Sequence, residues 1–224
     1  MKNKFKSVIF DLDGTLIDTI ADITLFMNKA LALHGLPLAP EEEYKKLVGW
    51  GMNRLARSVM PPELRQCAEA DTLAAALAAD ATRLYGETPV VKTKPYSGIQ
   101  ELLVELKRRK LKTAVLSNKP DVLANTVVNI LFPRGSFDII RGDMAGKPRK
   151  PAPEPVWDIL MELDSSPRDT VFLGDSEIDI ETALASGCHA VGAGWGFRGY
   201  ETLVKAGAER IIDKPSDFLE VVWN

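Results

Sequence analysis

The sequence predicts an α/β protein: a parallel sheet covered on both sides by helices, with an all-helical block inserted after the first strand. Three observations carry this. Short, mostly apolar runs recur along the chain, as strands buried on both faces do. Amphipathic helical stretches separate most of them. Between about residues 19 and 88 the alternation stops and no strand pattern occurs. The 224 residues, 46% apolar and 26% charged, fit a globular chain of one to two domains. With 28 basic residues against 31 acidic ones the net charge is −3, so a nucleic-acid partner is not expected.

Residues 7–10 open the sheet, and strands are expected at 113–116, 138–140, 170–173, 190–193 and 210–212. Helices are expected at 98–110, 122–131, 154–163 and 178–186. In the first of these Ile99, Leu102, Leu103 and Leu106 share one face, and basic residues close the end. The inserted block reads as helices at 20–33, 41–47, 53–59 and 63–84. The last is alanine-rich and so strongly helical, and Pro61-Pro62 breaks the chain before it. The expected domains are therefore 1–18 with 93–224 for the sheet and 19–92 for the helices.

The basic start, Lys2 to Lys6, is followed by only Ser7 and three apolar residues before Asp11. That is short of the ~7–15 apolar residues of a signal peptide. No run approaches the ~18 apolar residues of a membrane span. A soluble, cytoplasmic protein without a membrane partner is expected. Cys67 and Cys188 lie far apart and are expected as free thiols.

Three strands run into polar residues: Phe10 into Asp11, Leu116 into Ser117, and Leu173 into Gly174 and Asp175. Open parallel sheets bind ligands at this carboxyl edge. The densest segment is Asp11-Leu12-Asp13-Gly14-Thr15. A plain Asp-Gly turn is one reading of it. A calcium loop is not, because the glycine falls at position four instead of six, the twelfth residue is Asp22, and a strand precedes.

Taken together, these motifs resemble those of the haloacid dehalogenase superfamily. Asp11-x-Asp13-Gly14-Thr15 after an apolar strand resembles its first motif. Ser117 resembles the second, and Ser117-Asn118-Lys119-Pro120 is close to the form in phosphoglycolate phosphatase-like members. Lys150-Pro151-Ala152-Pro153 resembles the third. Gly174-Asp175-Ser176-x-x-Asp179, followed by Ala183 and Gly187, resembles the fourth. The helical insertion is similar to the superfamily's C1 cap, so the resemblance covers nearly the whole chain. It implies a Rossmann-like core and a Mg²⁺-dependent phosphatase that hydrolyses a small phosphorylated metabolite through an aspartyl-phosphate. Phosphoglycolate phosphatase is the nearest resemblance in activity. A phosphomutase like β-phosphoglucomutase, or a pyrophosphatase, shares the core residues. A phospho-accepting signalling module is a remoter alternative, disfavoured by the insertion and by the second acid, Asp13.

The residue types fit this chemistry. Asp11 is the candidate nucleophile. Asp11 and Asp175 supply hard oxygens for Mg²⁺, and the resemblance adds the backbone carbonyl of Asp13. Asp13 is the candidate acid and base, which requires a protonated start favoured by neighbouring carboxylates. Ser117, the amide of Asn118, and the amides at Gly14 and Thr15 are candidate donors to the phosphoryl group. Lys150 is expected to neutralise that group and to pair with Asp11, with Lys147 as the less favoured lysine. Asp179 is expected either to order metal-bound water or hold Lys150, or to serve only as a first-turn helix acid. Substrate choice is expected from the loop 49–54. Its glycines Gly49 and Gly51 free the backbone, Trp50 either packs or binds, and Arg54 either reads a second anion or is solvated. By the same resemblance Arg198 is expected near the cap interface, either as a structural residue or in contact with substrate. His34 is expected at a helix end and His189 in the core.

Overall fold

The computed structural model describes residues 3–223. Strand β1 (Ser7–Phe10) leads into the two-residue strand β2 (Ile17–Asp18). Helices α1 (Ile20–Leu33), α2 (Glu41–Leu47), α3 (Met52–Val59) and α4 (Ala70–Glu87) follow, and β3 (Lys94–Pro95) brings the chain back. The rest alternates: α5 (Ile99–Arg108), β4 (Lys112–Pro120), α6 (Asp121–Leu131), β5 (Ile139–Asp143), α7 (Glu154–Glu162), β6 (Thr170–Gly174), α8 (Glu177–Ser186), β7 (His189–Ala193), α9 (Tyr200–Ala206), β8 (Arg210–Ile212) and α10 (Phe218–Trp223).

Six strands form one parallel sheet in the order β5-β4-β1-β6-β7-β8. β1 lies inside the sheet, paired residue for residue with Lys112 to Val115 on one side and Thr170 to Leu173 on the other. Its side chains alternate between the two faces. Val8 and Phe10 join a large apolar cluster that continues into the helical block through Phe26, Met27 and Leu77. Ile9 joins the opposite cluster with Phe172, Ile159 of α7 and Ile180 of α8. Burial on both faces is why these strands read as unbroken apolar runs.

The two chain crossings between sheet and helical block lie side by side. Ile17 pairs with Pro95 and Asp18 with Lys94 in an antiparallel ladder. Asp22, fully buried at the start of α1, accepts from the amides of Val91, Lys92 and Thr93 and from the Thr93 hydroxyl, at 2.6–3.1 Å. Within the block, Phe26 of α1 stacks on Tyr85 of α4 at 4.8 Å.

Several elements depart from expectation. The helix expected at 63–84 is interrupted: Leu64–Gln66 forms a 3₁₀ turn, Cys67 is extended, and α4 starts at Ala70. Side-chain bonds to backbone hold that turn, with Arg65 donating to the Met60 carbonyl and Arg57 to that of Arg65. β4 continues past Leu116 to Pro120 with an irregular register against β5, so Ser117, Asn118 and Lys119 lie on a strand. β2 and β3 are too short to show a period. His189 is partly exposed at the start of β7, 2.9 Å from Glu209, where core placement was expected. His34 follows α1 and lies 3.0 Å from Asp80. Cys67 and Cys188 are unpaired. Among the described residues no helix is long and apolar enough to cross a membrane.

Candidate active site

Because β4, β1 and β6 are adjacent, their carboxyl ends bring Ser117, Asp11 and Asp175 to one edge. Asp11 is buried and accepts from Lys150 Nζ at 2.6 Å. The same ammonium donates to Asp179 at 2.6 Å. Lys150 enters through a cis peptide to Pro151. Asp179 reaches both Lys150 and the start of α8. One oxygen takes Lys150, and the other closes a capping box at the start of α8, accepting from the Ser176 amide (3.1 Å) and hydroxyl (2.6 Å).

Asp175 accepts from the Thr15 hydroxyl at 3.1 Å and the Phe197 amide at 2.8 Å. A Cβ at Gly14, whose φ is +94°, would collide with the Asp175 carboxylate. This corrects the role expected for the Gly14 and Thr15 amides. They donate to the carbonyls of Ile17 and Leu12, at 2.9 and 3.4 Å, so the turn itself uses them. Gly14 and Thr15 instead shape the seat of Asp175.

Carboxylate oxygens of Asp11, Asp175 and Asp179 all lie within 4.8 Å of one another, and all three residues are buried. Burial first, and then the neighbouring charge of Asp179, pushes Asp175 up to about 7 and holds Asp11 well above the usual carboxylate range. Burial works against the Lys150 charge, but Asp11 and Asp179 hold it above an ordinary lysine. Three carboxylates around one ammonium leave excess negative charge. Closely set hard oxygen donors of this kind fit a divalent cation.

Asp13 has a different neighbour from the one expected. The charged group at hydrogen-bond distance is Lys119, at 3.0 and 3.2 Å from the two oxygens, and not a carboxylate. Lys119 was legible only as part of the Ser117-Asn118-Lys119 run. Its strand position, two residues after Ser117, is the signal that places it on the same face. Ser117 Oγ accepts from the Lys119 amide at 3.2 Å. Asn118 donates its side-chain amide to the carbonyls of Gly49 (2.8 Å) and Lys150 (2.9 Å), which ties the loop before α3 to the sheet edge.

A narrow cavity of about 40 Å³ lies between this edge and the helical block. Asp11, Asp13, Ser117, Lys119 and Lys150 line its sheet side, and Ile23, Val48, Gly49, Met52 and Leu55 its helical side. Trp50 and Arg54 do not line it. The Arg54 guanidinium stacks over the Trp50 ring at 3.9 Å, and Arg54 is exposed. Of the three residues expected to select substrate, only Gly49 faces the cavity. Arg198 spans the boundary of sheet and helices. It pairs with Glu177 and donates to the carbonyls of Lys45 (3.0 Å) and Val48 (2.7 Å) at the end of α2.

An α/β sheet with this acidic edge under a helical insertion defines a class of hydrolase. Residues 8–193 match the haloacid dehalogenase-like hydrolases, and the chain belongs to that family. It is a phosphatase of the family, similar to phosphoglycolate phosphatases. Over 97% of its length it is 33% identical to a phosphoglycolate phosphatase of Aquifex aeolicus, covering 96% of that protein. It is 28% identical over 98% of its length to an N-acetylmuramic acid 6-phosphate phosphatase of Pseudomonas aeruginosa, covering 95% of it. A solved structure from Lactobacillus delbrueckii, provisionally assigned as a phosphoglycolate phosphatase, matches with a TM-score of 0.89 at 33% identity, each chain covered in full.

Proposed function

We propose that this chain is a cytoplasmic, Mg²⁺-dependent phosphomonoesterase in which Asp11 is the nucleophile and Asp13 the acid and base. Its substrate is a small phosphorylated metabolite such as phosphoglycolate. The observation that carries this reading is Lys150 bridging Asp11 and Asp179, with Asp175 beside them and Asp13 on the same cavity wall. The two unpaired cysteines suit a reducing compartment.

In this reading Asp11 attacks phosphorus while Asp13, as general acid, gives a proton to the leaving oxygen, which departs as an alcohol. Asp13 then takes a proton from water, whose oxygen attacks the aspartyl-phosphate and frees Asp11. Ser117 donates to a phosphoryl oxygen, and Lys150 offsets phosphoryl charge and fixes the Asp11 carboxylate. Asp11, Asp175 and the Asp13 carbonyl would hold Mg²⁺, which would supply charge neutralisation for the attack of one anion on another. Residues 19–92 act as a cap that closes over the edge, hinged where β2 meets β3.

The test is phosphate release from a panel of phosphomonoesters, with Mg²⁺ and with a chelator, alongside Asp11→Asn. That variant is expected to stay folded and to lose more than the about 10²–10⁴-fold typical of losing acid–base help. Acid quench of the wild type should trap phosphate on Asp11. Near-normal turnover by folded Asp11→Asn would end the nucleophile assignment. Isomer formation from a sugar phosphate, without phosphate release, would favour a mutase.

A further inference from the structure

Two residues of the sheet edge meet the loop between α2 and α3, and each is the chain neighbour of a residue in the reacting centre. Asn118 follows Ser117, and Arg149 precedes Lys150. Asn118 is 5% exposed, so its side chain has left water almost completely. Its side-chain nitrogen carries two protons in one plane. One goes to the Gly49 carbonyl at 2.8 Å and the other to the Lys150 carbonyl at 2.9 Å. A single amide thus joins the loop of the helical block to the turn that carries Lys150. The Asn118 side-chain oxygen has no hydrogen-bond partner among the described residues. The two carbonyls are therefore the polar groups that hold this amide in its orientation.

The loop lies close against both residues. Gly51 has a φ of +86°, and a Cβ there would come 2.8 Å from the Arg149 guanidinium and 3.6 Å from the Asn118 main-chain oxygen. Arg149 is itself held by Asp143 at 3.1 Å. Lys150 lies in a turn between β5 and α7 and not in the sheet, so no strand ladder fixes its main chain. Its ammonium nevertheless has to sit 2.6 Å from both Asp11 and Asp179. Misplacing such a group by about 1 Å costs about 100-fold in rate.

Resting on the phosphatase reading above, we propose that Asn118 is a positioning residue that makes the place of Lys150 depend on the seating of the 49–51 loop. With the loop seated, both amide protons are used and the Lys150 main chain is fixed. With the loop lifted, the amide loses one of its two partners and no longer holds the Lys150 carbonyl in place. The helical block then reaches the chemical step through a main-chain carbonyl, and Gly49 and Gly51 serve this docking in place of substrate choice.

The test is a double-mutant cycle, measured with Mg²⁺ on the phosphomonoester of the panel above that wild type turns over fastest. Asn118→Ala removes the side-chain amide, and Gly51→Ala unseats the loop. The main-chain amide of Asn118, the candidate phosphoryl donor, is kept in both. Each single variant is expected to lower kcat about 10- to 100-fold while KM changes less than about threefold, the scale of one or two hydrogen bonds. The double variant should be no slower than the slower single one, because both changes break the same link. Asn118→Asp keeps the shape but turns an oxygen toward two carbonyls, and should be as slow as Asn118→Ala. A double variant showing the product of the two losses would mean independent roles and overturn the proposal. So would wild-type kcat in Gly51→Ala or Asn118→Asp, or a rise in KM with kcat unchanged. If Asn118→Ala does not fold, the same cycle run with Asn118→Asp decides the matter. Wild type inert on every phosphomonoester would instead overturn the phosphatase reading.

Discussion

At the scale of single residues, the buried acids divide into two kinds. Asp11 and Asp175 are crowded by other carboxylates, whereas Asp22 is surrounded by donors. Burial alone would raise the Asp22 carboxyl, but the Thr93 hydroxyl and the amides of Val91, Thr93 and Lys92 outweigh it and hold it below the usual range. Removing its carboxylate leaves the buried Thr93 amide and hydroxyl unpaired, while the amides of the exposed Val91 and Lys92 lose their acceptor. Asp22→Ala is expected to destabilise the fold by about 2–4 kcal/mol, read from urea unfolding at neutral pH. The sign of the pH dependence follows from the lowered value. The Asp22 contribution is fully present above the unfolded carboxylate value of about 4, and is lost as pH falls through the folded one. The gap between wild type and variant should therefore shrink in acid. A gap that stays constant down to about pH 2 would show that the ionised form is not what matters.

At the scale of elements, α2 ends on carbonyls with no partner inside the helix, and Arg198 meets those of Lys45 and Val48 from across the cavity mouth. The loop after α2 is also held by Asn118 through the Gly49 carbonyl. These bonds run from the sheet edge to the backbone of the helical block, and in the proposed reading they serve closure of the cap. Arg198→Ala is expected to lower kcat/KM about tenfold on charged and neutral phosphomonoesters alike, as loss of closure would. A loss confined to anionic substrates would instead make Arg198 a substrate-binding group. Arg54, stacked on Trp50 away from the cavity, should change neither when replaced by alanine.

At the scale of the whole molecule, the acidic edge links stability to pH and to metal. Asp175 sits near 7 when folded and about 4 when unfolded. The folded chain therefore holds more protons than the unfolded chain between about pH 4 and 7, and stability from this group falls as pH rises through that window. A divalent cation that binds only the folded edge reverses the loss. Its effect should be about 2.7 kcal/mol at a concentration of about 100 times Kd. Thermal melts with and without millimolar Mg²⁺ should show a larger rise in Tm at about pH 7.5 than at about pH 5. Equal shifts at both pH values would place the ion away from these carboxylates.

The amino-acid sequence alone determined the alternation of strands and helices, the helical insertion, and the arrival of Asp11, Ser117 and Asp175 at one sheet edge. These are local properties: a run of apolar residues, a helical period, a polar residue where a strand stops. Lys150 and Asp179 were legible through the resemblance of Lys150-Pro151-Ala152-Pro153 and Gly174-Asp175-Ser176-x-x-Asp179 to family motifs. Tertiary structure alone decided who meets whom across long stretches of chain. Asp13 and Lys119 are 106 residues apart, Asp22 and Thr93 are 71 apart, and Arg198 reaches back 153 residues to Lys45. No period or motif encodes such pairs, because they depend on how the helical block seats on the sheet edge. That seating put Lys119 in the cavity and left Arg54 outside it, although Arg54 lies in the loop that looks, read along the chain, like the one that chooses the substrate.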